Sequence, residues 1–201
     1  KKALSLNALS GGRFTLGLGL GGREDDYEVS EIETEGRGKR FDAMLEGRRE
    51  LWGGEEVAPA ATQPPGLVIG GGVDASFARA ARFSEGWIAG GSPPDQYAAM
   101  AEKAKAAWAE AGREDEPRLM GLAYFALGDD AEADAQAYLG DYYAWLGEDI
   151  ANFIIGSAAT DAETVRRYVT EFGEAGCGEL IFCPSSSDPA QVDLLAEAAG
   201  L

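Results

Sequence analysis

Short apolar segments alternate with amphipathic segments along the chain, and this alternation constrains the fold more than any other feature. The apolar segments predict buried strands, and several of them end in two or three glycines. The strands are predicted at 13–20, 67–69, 86–89, 118–127 and 179–183. The intervening segments predict helices, with a further helix over residues 1–9. Such alternation is typical of a parallel sheet with helices packed outside it.

Two closures of such a sheet are open, a doubly wound sheet and a (β/α)₈ barrel. The alternate glycines Gly17, Gly19 and Gly21 do not form the Gly-x-Gly-x-x-Gly fingerprint that opens a dinucleotide-binding helix. A complete barrel needs about 250 residues, and this chain of 201 residues starts with a non-Met residue inside a predicted helix. We therefore expect a (β/α)₈ barrel covering about strands 4 to 8 with the first three units absent. This makes residues 1–201 a single barrel domain that is N-terminally incomplete.

The glycines after the predicted strands are the main candidates for a binding site. The carboxyl ends of barrel strands gather on one face, where active sites are built. Glycine there lets a flat ligand approach the backbone closely. Two of the glycine turns, Gly70–Gly72 and Gly90–Ser92, run directly into predicted helix N-termini, which are suited to binding phosphate. The alternative is that these glycines only make tight turns.

Charge and residue content exclude several function classes. Asp and Glu number 35 against 17 Lys and Arg, a net charge of −18, which disfavours binding to nucleic acid or to anionic membranes. The absence of histidine excludes Ser-His-Asp and Cys-His catalysis and His-ligated metals within these residues. Two cysteines cannot build a zinc site alone, so no metal is predicted. We expect a cytoplasmic protein whose acidity reflects either an acidic proteome or a high-salt cytoplasm.

Several segments together resemble the bacterial-luciferase-like flavin-dependent oxidoreductases. The segment 9–27, Leu-Ser-Gly-Gly-Arg-Phe-Thr-Leu-Gly-Leu-Gly-Leu-Gly-Gly-Arg-Glu-Asp-Asp-Tyr, is similar to the fourth-strand region of that family. Residues 36–52 resemble its next helix, and residues 64–71 and 79–88 its following strand, helix and strand. The tail over 174–195 resembles its last unit. The order of these motifs carries the resemblance over nearly the whole chain.

The resemblance implies a cofactor, either FMN or the deazaflavin coenzyme F-420, and leans towards the deazaflavin. Its phosphate would meet Gly70, Gly71, Gly72, Gly90, Gly91 and Ser92, and its ring system would lie near Gly19 and Gly21. The implied reaction is hydride transfer between the cofactor and a small organic substrate. Gly22 replaces the acid that the family's sugar-phosphate dehydrogenases carry, so that substrate class is not expected. No catalytic residue is assigned.

Two other functions remain open: a non-catalytic flavin-binding protein with a shortened barrel, and an α/β small-molecule binder without a redox role. The resemblance also makes a homodimer possible, since the family is often dimeric.

Other polar and aromatic residues are given structural roles. The segment 23–35 is predicted as an acidic loop, and Cys183 as a structural thiol. Tyr138, Tyr142, Tyr143 and Trp145 predict core or dimer packing. Asp74, Ser92 and Thr160 are predicted to cap helices, and capping is preferred over phosphate binding for Ser185–Ser187.

Overall fold

The computed structural model describes residues 1–54 and 63–201, and the predicted Pro/Ala-rich connection lies mostly outside them. The elements of the described residues are, in chain order, α1 Lys2–Leu9, β1 Thr15–Leu18, α2 Glu24–Val29, α3 Arg37–Gly53, β2 Gly66–Gly70, α4 Asp74–Phe83, β3 Gly86–Gly91, α5 Pro94–Glu110, β4 Arg118–Phe125, α6 Ala131–Tyr143, a 3-10 turn Ala144–Leu146, α7 Glu148–Gly156, α8 Ala162–Glu174, β5 Glu179–Pro184 and α9 Gln191–Ala199. No helix among the described residues is both long and apolar enough to cross a bilayer.

The sheet order follows the chain order, β1-β2-β3-β4-β5. β1 pairs in parallel with β2, where Leu18 is opposite Ile69. β4 pairs in parallel with β5, where Tyr124 is opposite Cys183. Because parallel strands run in the same direction, the carboxyl ends of each pair lie at the same edge. The predicted α/β class is therefore confirmed, and all five predicted strands are present.

The predicted acidic loop over 23–35 is wrong in its first half, because α2 forms there. Glu24, Asp25 and Asp26 occupy its first turn, where acidic side chains interact favourably with the positive end of the helix dipole. Arg23 precedes the helix and forms an ion pair with Asp25 at 2.5 Å. Charge placement thus makes a short helix out of a segment whose polarity predicts a loop.

One compact unit comprises Lys1–Trp87 and Ala104–Arg118. Its core is made of fully buried apolar side chains, which include Leu4, Leu45, Ile69, Phe77, Trp87 and Trp108. Arg79 of α4 is 8% exposed and forms an ion pair with Asp42 of α3 at 2.5 Å. The buried guanidinium thereby ties α4 to α3.

The second compact unit comprises Ile88–Lys103 and Leu119–Leu201. Its fully buried residues include Tyr97, Phe125, Leu139, Val165 and Phe172. Asp161 is the N-cap residue of helix α8, and its carboxylate accepts hydrogen bonds from the Thr164 N–H and hydroxyl, both at 2.8 Å. The cap is therefore Asp161 and not the predicted Thr160, since the acid occupies the extended N-cap position.

Candidate cofactor site

The glycines after β1 lie at an open position. Gly19 follows β1 by one residue, is exposed, and has no heavy atom within 4 Å of a Cβ built on it. Gly21 has a φ of +68°, the left-handed conformation that favours glycine. Because Leu18 is opposite Ile69, Gly19 and Gly70 leave neighbouring parallel strands at the same level. The register thus places the first residues of two predicted site segments, Gly19 and Gly70, side by side.

The turn after β2 is fixed by a buried tryptophan. Trp87 is fully buried, and its indole N–H donates to the Gly71 carbonyl oxygen at 2.8 Å. Its ring packs against Phe77 of α4 with centroids 5.4 Å apart. Gly71 has a φ of +138°, and a Cβ built on it would lie 2.7 Å from the Ser76 Cβ. Glycine is therefore required at this position, and Trp87 holds its carbonyl in place.

The start of α4 differs from the prediction that Asp74 caps it. Val73 is the N-cap residue, and Asp74 is the first residue of the helix. The Ser76 hydroxyl donates to the Val73 carbonyl at 2.6 Å, and the Val73 N–H donates to that hydroxyl at 3.1 Å. Ser76 supplies the cap because its hydroxyl can both donate and accept, whereas Asp74 already lies within the first turn.

The turn after β3 contains the remaining predicted contacts. Gly90 is exposed, and a Cβ built on it would meet nothing within 4 Å. Ser92 is 8% exposed and precedes the N-terminus of α5 by two residues. Its Oγ is buried and makes no hydrogen bond within the described residues. The predicted cap by Ser92 is therefore wrong: α5 starts at Pro94, and the hydroxyl stays without a partner.

Two tyrosines next to this turn were not predicted as site residues. Tyr124 lies near the end of β4, and a Cβ built on Gly91 would be 2.5 Å from its Cε2 atom. Its hydroxyl lies 2.7 Å from the Tyr143 hydroxyl of α6. The sequence places Tyr143 in an aromatic stripe but gives no signal for its partner on β4. Tyr138, Tyr142 and Trp145 of that stripe are 42% to 47% exposed, so they are not core residues of this chain.

The end of β5 carries two further groups considered in the sequence. Burial raises the pKa of the Cys183 thiol, which keeps it protonated and agrees with a structural role. Ser185 is 6% exposed, and its Oγ is buried without a hydrogen bond in the described residues. Ser185 therefore caps no helix, and Asp188 instead accepts a hydrogen bond from the Ala190 N–H at 2.9 Å before α9.

The cations of the described residues are largely engaged elsewhere. Within the described part of the chain, the arginines that form ion pairs with carboxylates include Arg23, Arg79, Arg82, Arg113, Arg118 and Arg167. The Arg40 guanidinium donates hydrogen bonds to the backbone carbonyl oxygens of Glu33 and Glu35. The predicted site segments, taken one by one, therefore offer backbone N–H groups, a serine hydroxyl and exposed glycine backbone.

Glycine turns at the carboxyl ends of parallel strands are typical of α/β proteins. In that class of protein, ligands bind at those strand ends. The chain belongs to the luciferase-like monooxygenase family, whose model matches residues 1–176. The resemblance predicted from the sequence motifs is thus confirmed.

Proteins that are similar to this chain in sequence occur in mycobacteria. Uncharacterised proteins of Mycobacterium tuberculosis and Mycobacterium bovis are each 36% identical to this chain over 127 residues. The match covers 56% of this chain and 44% of each relative. The chain therefore spans less than half the length of these relatives.

Solved structures with the same fold include two enzymes named as F420-dependent and a monooxygenase. An F420-dependent secondary alcohol dehydrogenase is 17% identical with a TM-score of 0.81, over 98% of this chain and 73% of the other. The F420-dependent tetrahydromethanopterin reductase of Methanopyrus kandleri is 17% identical with a TM-score of 0.68, over 98% and 75%. The EDTA monooxygenase of a Chelativorans species is 15% identical with a TM-score of 0.70, over 98% and 67%. At these identities the likeness establishes the fold.

Proposed function

We propose that this chain belongs to an oxidoreductase that transfers hydride between a bound flavin or deazaflavin and a small organic substrate. We assign its five strand units to strands 4 to 8 of a (β/α)₈ barrel. Family membership supports the class of reaction, and two of the structural neighbours described above are named as F420-dependent. These names, together with the motif resemblance, favour coenzyme F420 over FMN.

The observation that carries this proposal is the Ser92 hydroxyl. A buried hydroxyl without a partner costs free energy, so such groups are uncommon unless a ligand or water completes them. Ser92 lies between the exposed Gly90 and the N-terminus of the 17-residue helix α5, whose dipole favours an anion. A phosphate ester has the acceptor oxygens that this hydroxyl lacks. The residues present therefore fit the phosphate of either cofactor.

Each predicted segment has a binding role in this proposal. Ser92 donates its hydroxyl hydrogen to a phosphate oxygen, and Gly90 leaves room for the phosphate beside the backbone. The turn Gly70–Gly72, held by Trp87, presents a rigid backbone edge. Gly19 and Gly21 leave open space for a flat ring system. When bound, the flavin or deazaflavin supplies the redox chemistry, and the chain supplies binding, orientation and exclusion of water.

Titration of the 201-residue chain with FMN and with coenzyme F420 tests the proposal. We expect a change in fluorescence of the bound cofactor, with tighter binding of F420. Reduction of the bound cofactor by an alcohol or another small donor would separate an oxidoreductase from a non-catalytic flavin binder. A preparation that binds neither cofactor refutes the proposal.

Glycine substitutions locate the binding surface. Gly19→Ala and Gly90→Ala place a methyl group in open space, so the fold should tolerate both, whereas cofactor affinity should fall because the methyl group blocks close approach. Gly173→Ala is the matched control: its Cβ also meets nothing within 4 Å, but it lies inside α8. We expect the control to leave affinity unchanged, and equal affinity in all three variants would contradict the assignment.

A further inference from the structure

Helix α6 and the 3-10 turn after it expose three large aromatic side chains, Tyr138, Tyr142 and Trp145. Their spacing of i, i+4 and i+7 places them on one side of the helical segment. The rings of Tyr138 and Tyr142 stack, with centroids 6.2 Å apart and planes 8° apart. The opposite side of α6 buries Ala135 and Leu139 in the core of the second unit. The exposed rings are therefore available for contact with another molecule.

Two carboxylates lie on the same side of the helix as these rings. Asp134 precedes Tyr138 by four residues, and Asp141 precedes Trp145 by four. In the part of the chain that the structure describes, neither carboxylate forms an ion pair. The sequence explains this, because residues 119–165 contain no Lys or Arg. We call the following set the aromatic–acidic face: Asp134, Tyr138, Asp141, Tyr142 and Trp145.

The composition of the aromatic–acidic face decides what can cover it. Tyr and Trp are enriched at protein interfaces, and grouped exposed apolar side chains mark interaction sites. A partner that covers the rings also approaches Asp134 and Asp141. Covering an unpaired carboxylate costs free energy unless a cation meets it. The partner therefore has to supply Lys or Arg, and an Arg guanidinium can in addition stack on the aromatic rings.

A second copy of this chain does not supply those cations. A symmetric contact between two copies would bring one aromatic–acidic face against the other, so that carboxylates meet carboxylates. The net charge of −18 adds repulsion between the copies. The same charge disfavours nucleic acid and anionic membranes as partners. A cationic polypeptide is the partner that both the charge and the aromatic rings fit.

We propose that the aromatic–acidic face docks a basic, partly apolar peptide segment of another protein. Basic side chains of the segment pair with Asp134 and Asp141, and its apolar side chains cover the aromatic rings. The negative charge of the chain steers such a partner during encounter. This interaction goes beyond the proposed function, because it requires no cofactor.

A designed peptide tests the docking. The probe is a fluorescein-labelled peptide of Arg, Leu and Gln, and the 201-residue chain is titrated into it while fluorescence anisotropy is recorded. One comparison peptide has Glu in place of Arg, and another has Ser in place of Leu. We expect each to bind about 10-fold more weakly than the probe or worse, since it lacks the charge or the apolar contact. Binding of the probe should also weaken in NaCl at about 0.5 M, because salt screens the ion pairs.

Two double variants attribute the binding to this face. Tyr138→Gln with Tyr142→Gln removes the stacked rings, and Asp134→Asn with Asp141→Asn removes the two charges. Each should weaken binding of the probe about 5- to 10-fold. The aspartate variant keeps every ring, so it tests the face independently of any loss of packing in the tyrosine variant.

Helix α9 of the same unit provides the matched controls. Val192→Gln removes an exposed apolar side chain, and Asp193→Asn with Glu197→Gln removes two exposed charges. Both controls should bind the probe as the unmodified chain does. Urea unfolding of each variant shows whether the fold is kept.

The outcomes decide between a basic partner and its rivals. Weaker binding by both double variants, with unchanged binding by both controls, supports the inference. No binding of the probe, equal binding of the Glu peptide, or equal affinity in a folded double variant and its control overturns it. Self-association of the unmodified chain that the tyrosine variant abolishes assigns the face to a second copy and also overturns it. Failure to bind coenzyme F420 or FMN counts against the proposed function alone.

Discussion

Replacement of Ser92 by alanine should change stability and cofactor affinity in opposite directions. Ser92 is 8% exposed, and its Oγ is buried without a hydrogen bond in the described residues. An unsatisfied buried hydroxyl costs about 1–3 kcal/mol. Alanine removes this cost, so we expect the cofactor-free Ser92→Ala chain to gain about 1 kcal/mol in its free energy of unfolding. Urea denaturation followed by tryptophan fluorescence measures the gain.

Cofactor affinity should fall in the same variant. A hydrogen bond to a charged phosphate contributes about 1.5–3 kcal/mol, which corresponds to a loss of about 10- to 100-fold in affinity. Fluorescence titration with FMN and coenzyme F420 gives the dissociation constants. A Ser92→Ala chain that is less stable than the unmodified chain, or that binds both cofactors as well, would refute the reasoning.

Ser84 provides the matched control at the other end of β3. It is 7% exposed, but its hydroxyl has two acceptors. The Oγ–H is shared between the carbonyl oxygens of Ala80 at 2.8 Å and Gly86 at 2.7 Å. Ser84→Ala should therefore lose about 1 kcal/mol of stability and leave cofactor affinity unchanged. Two serines of equal burial thus have effects of opposite sign on stability, because only one of them has partners.

Four further predictions follow from the contacts. Gly71→Ala should destabilise the chain by about 2–3 kcal/mol in urea unfolding, because its φ of +138° and the nearby Ser76 leave no room for a Cβ. Asp42→Ala should cost about 2 kcal/mol in the same assay, since it leaves the buried Arg79 guanidinium without its carboxylate. Asp161→Ala should cost about 1 kcal/mol at neutral pH. Hydrogen bonds from the first turn of α8 lower the pKa of the Asp161 carboxyl in the folded chain. This contribution to stability is therefore present above the unfolded pKa of about 3.9 and is lost as pH falls through the folded value. Unfolding curves should show a smaller difference in free energy of unfolding between the variant and the unmodified chain at pH 3 than at pH 7. Higher salt should lower the dissociation constant of an anionic cofactor, because the net charge of −18 repels it and salt screens that repulsion; a titration series in NaCl that shows weaker binding instead would indicate a basic site.

The strands could be predicted from the sequence because each combines an apolar run with glycine or proline at its end. Residues 67–69, for example, form a short apolar run that is buried on both faces of the parallel sheet, as such runs usually are. Helix starts were less predictable. Val73, Asp74 and Ser76 lie within four residues, and backbone geometry decides which side chain reaches which N–H.

In the candidate site, too, features set by neighbouring residues could be predicted from the sequence, whereas contacts between residues far apart in the chain could not. Glycine turns are local, so Gly70–Gly72 and Gly90 could be read directly from the sequence. The partner of Tyr143 lies 19 residues earlier on β4, and periodicity within one helix carries no information about it. The state of the Ser92 hydroxyl depends on every neighbour around it, so a residue that the sequence predicts as a helix cap makes no hydrogen bond within residues 1–54 and 63–201.

The distribution of unsatisfied hydroxyls within the second unit favours a ligand over imperfect packing. Away from the strand ends, the Tyr168 hydroxyl of α8, for example, donates to the Ser157 carbonyl oxygen at 2.8 Å. Within the described residues of this unit, the serine hydroxyls left buried without a partner are Ser92 and Ser185, which follow β3 and β5. Random packing defects would fall anywhere in the unit, whereas both of these serines directly follow a strand at its carboxyl end, where a ligand would supply the missing acceptors.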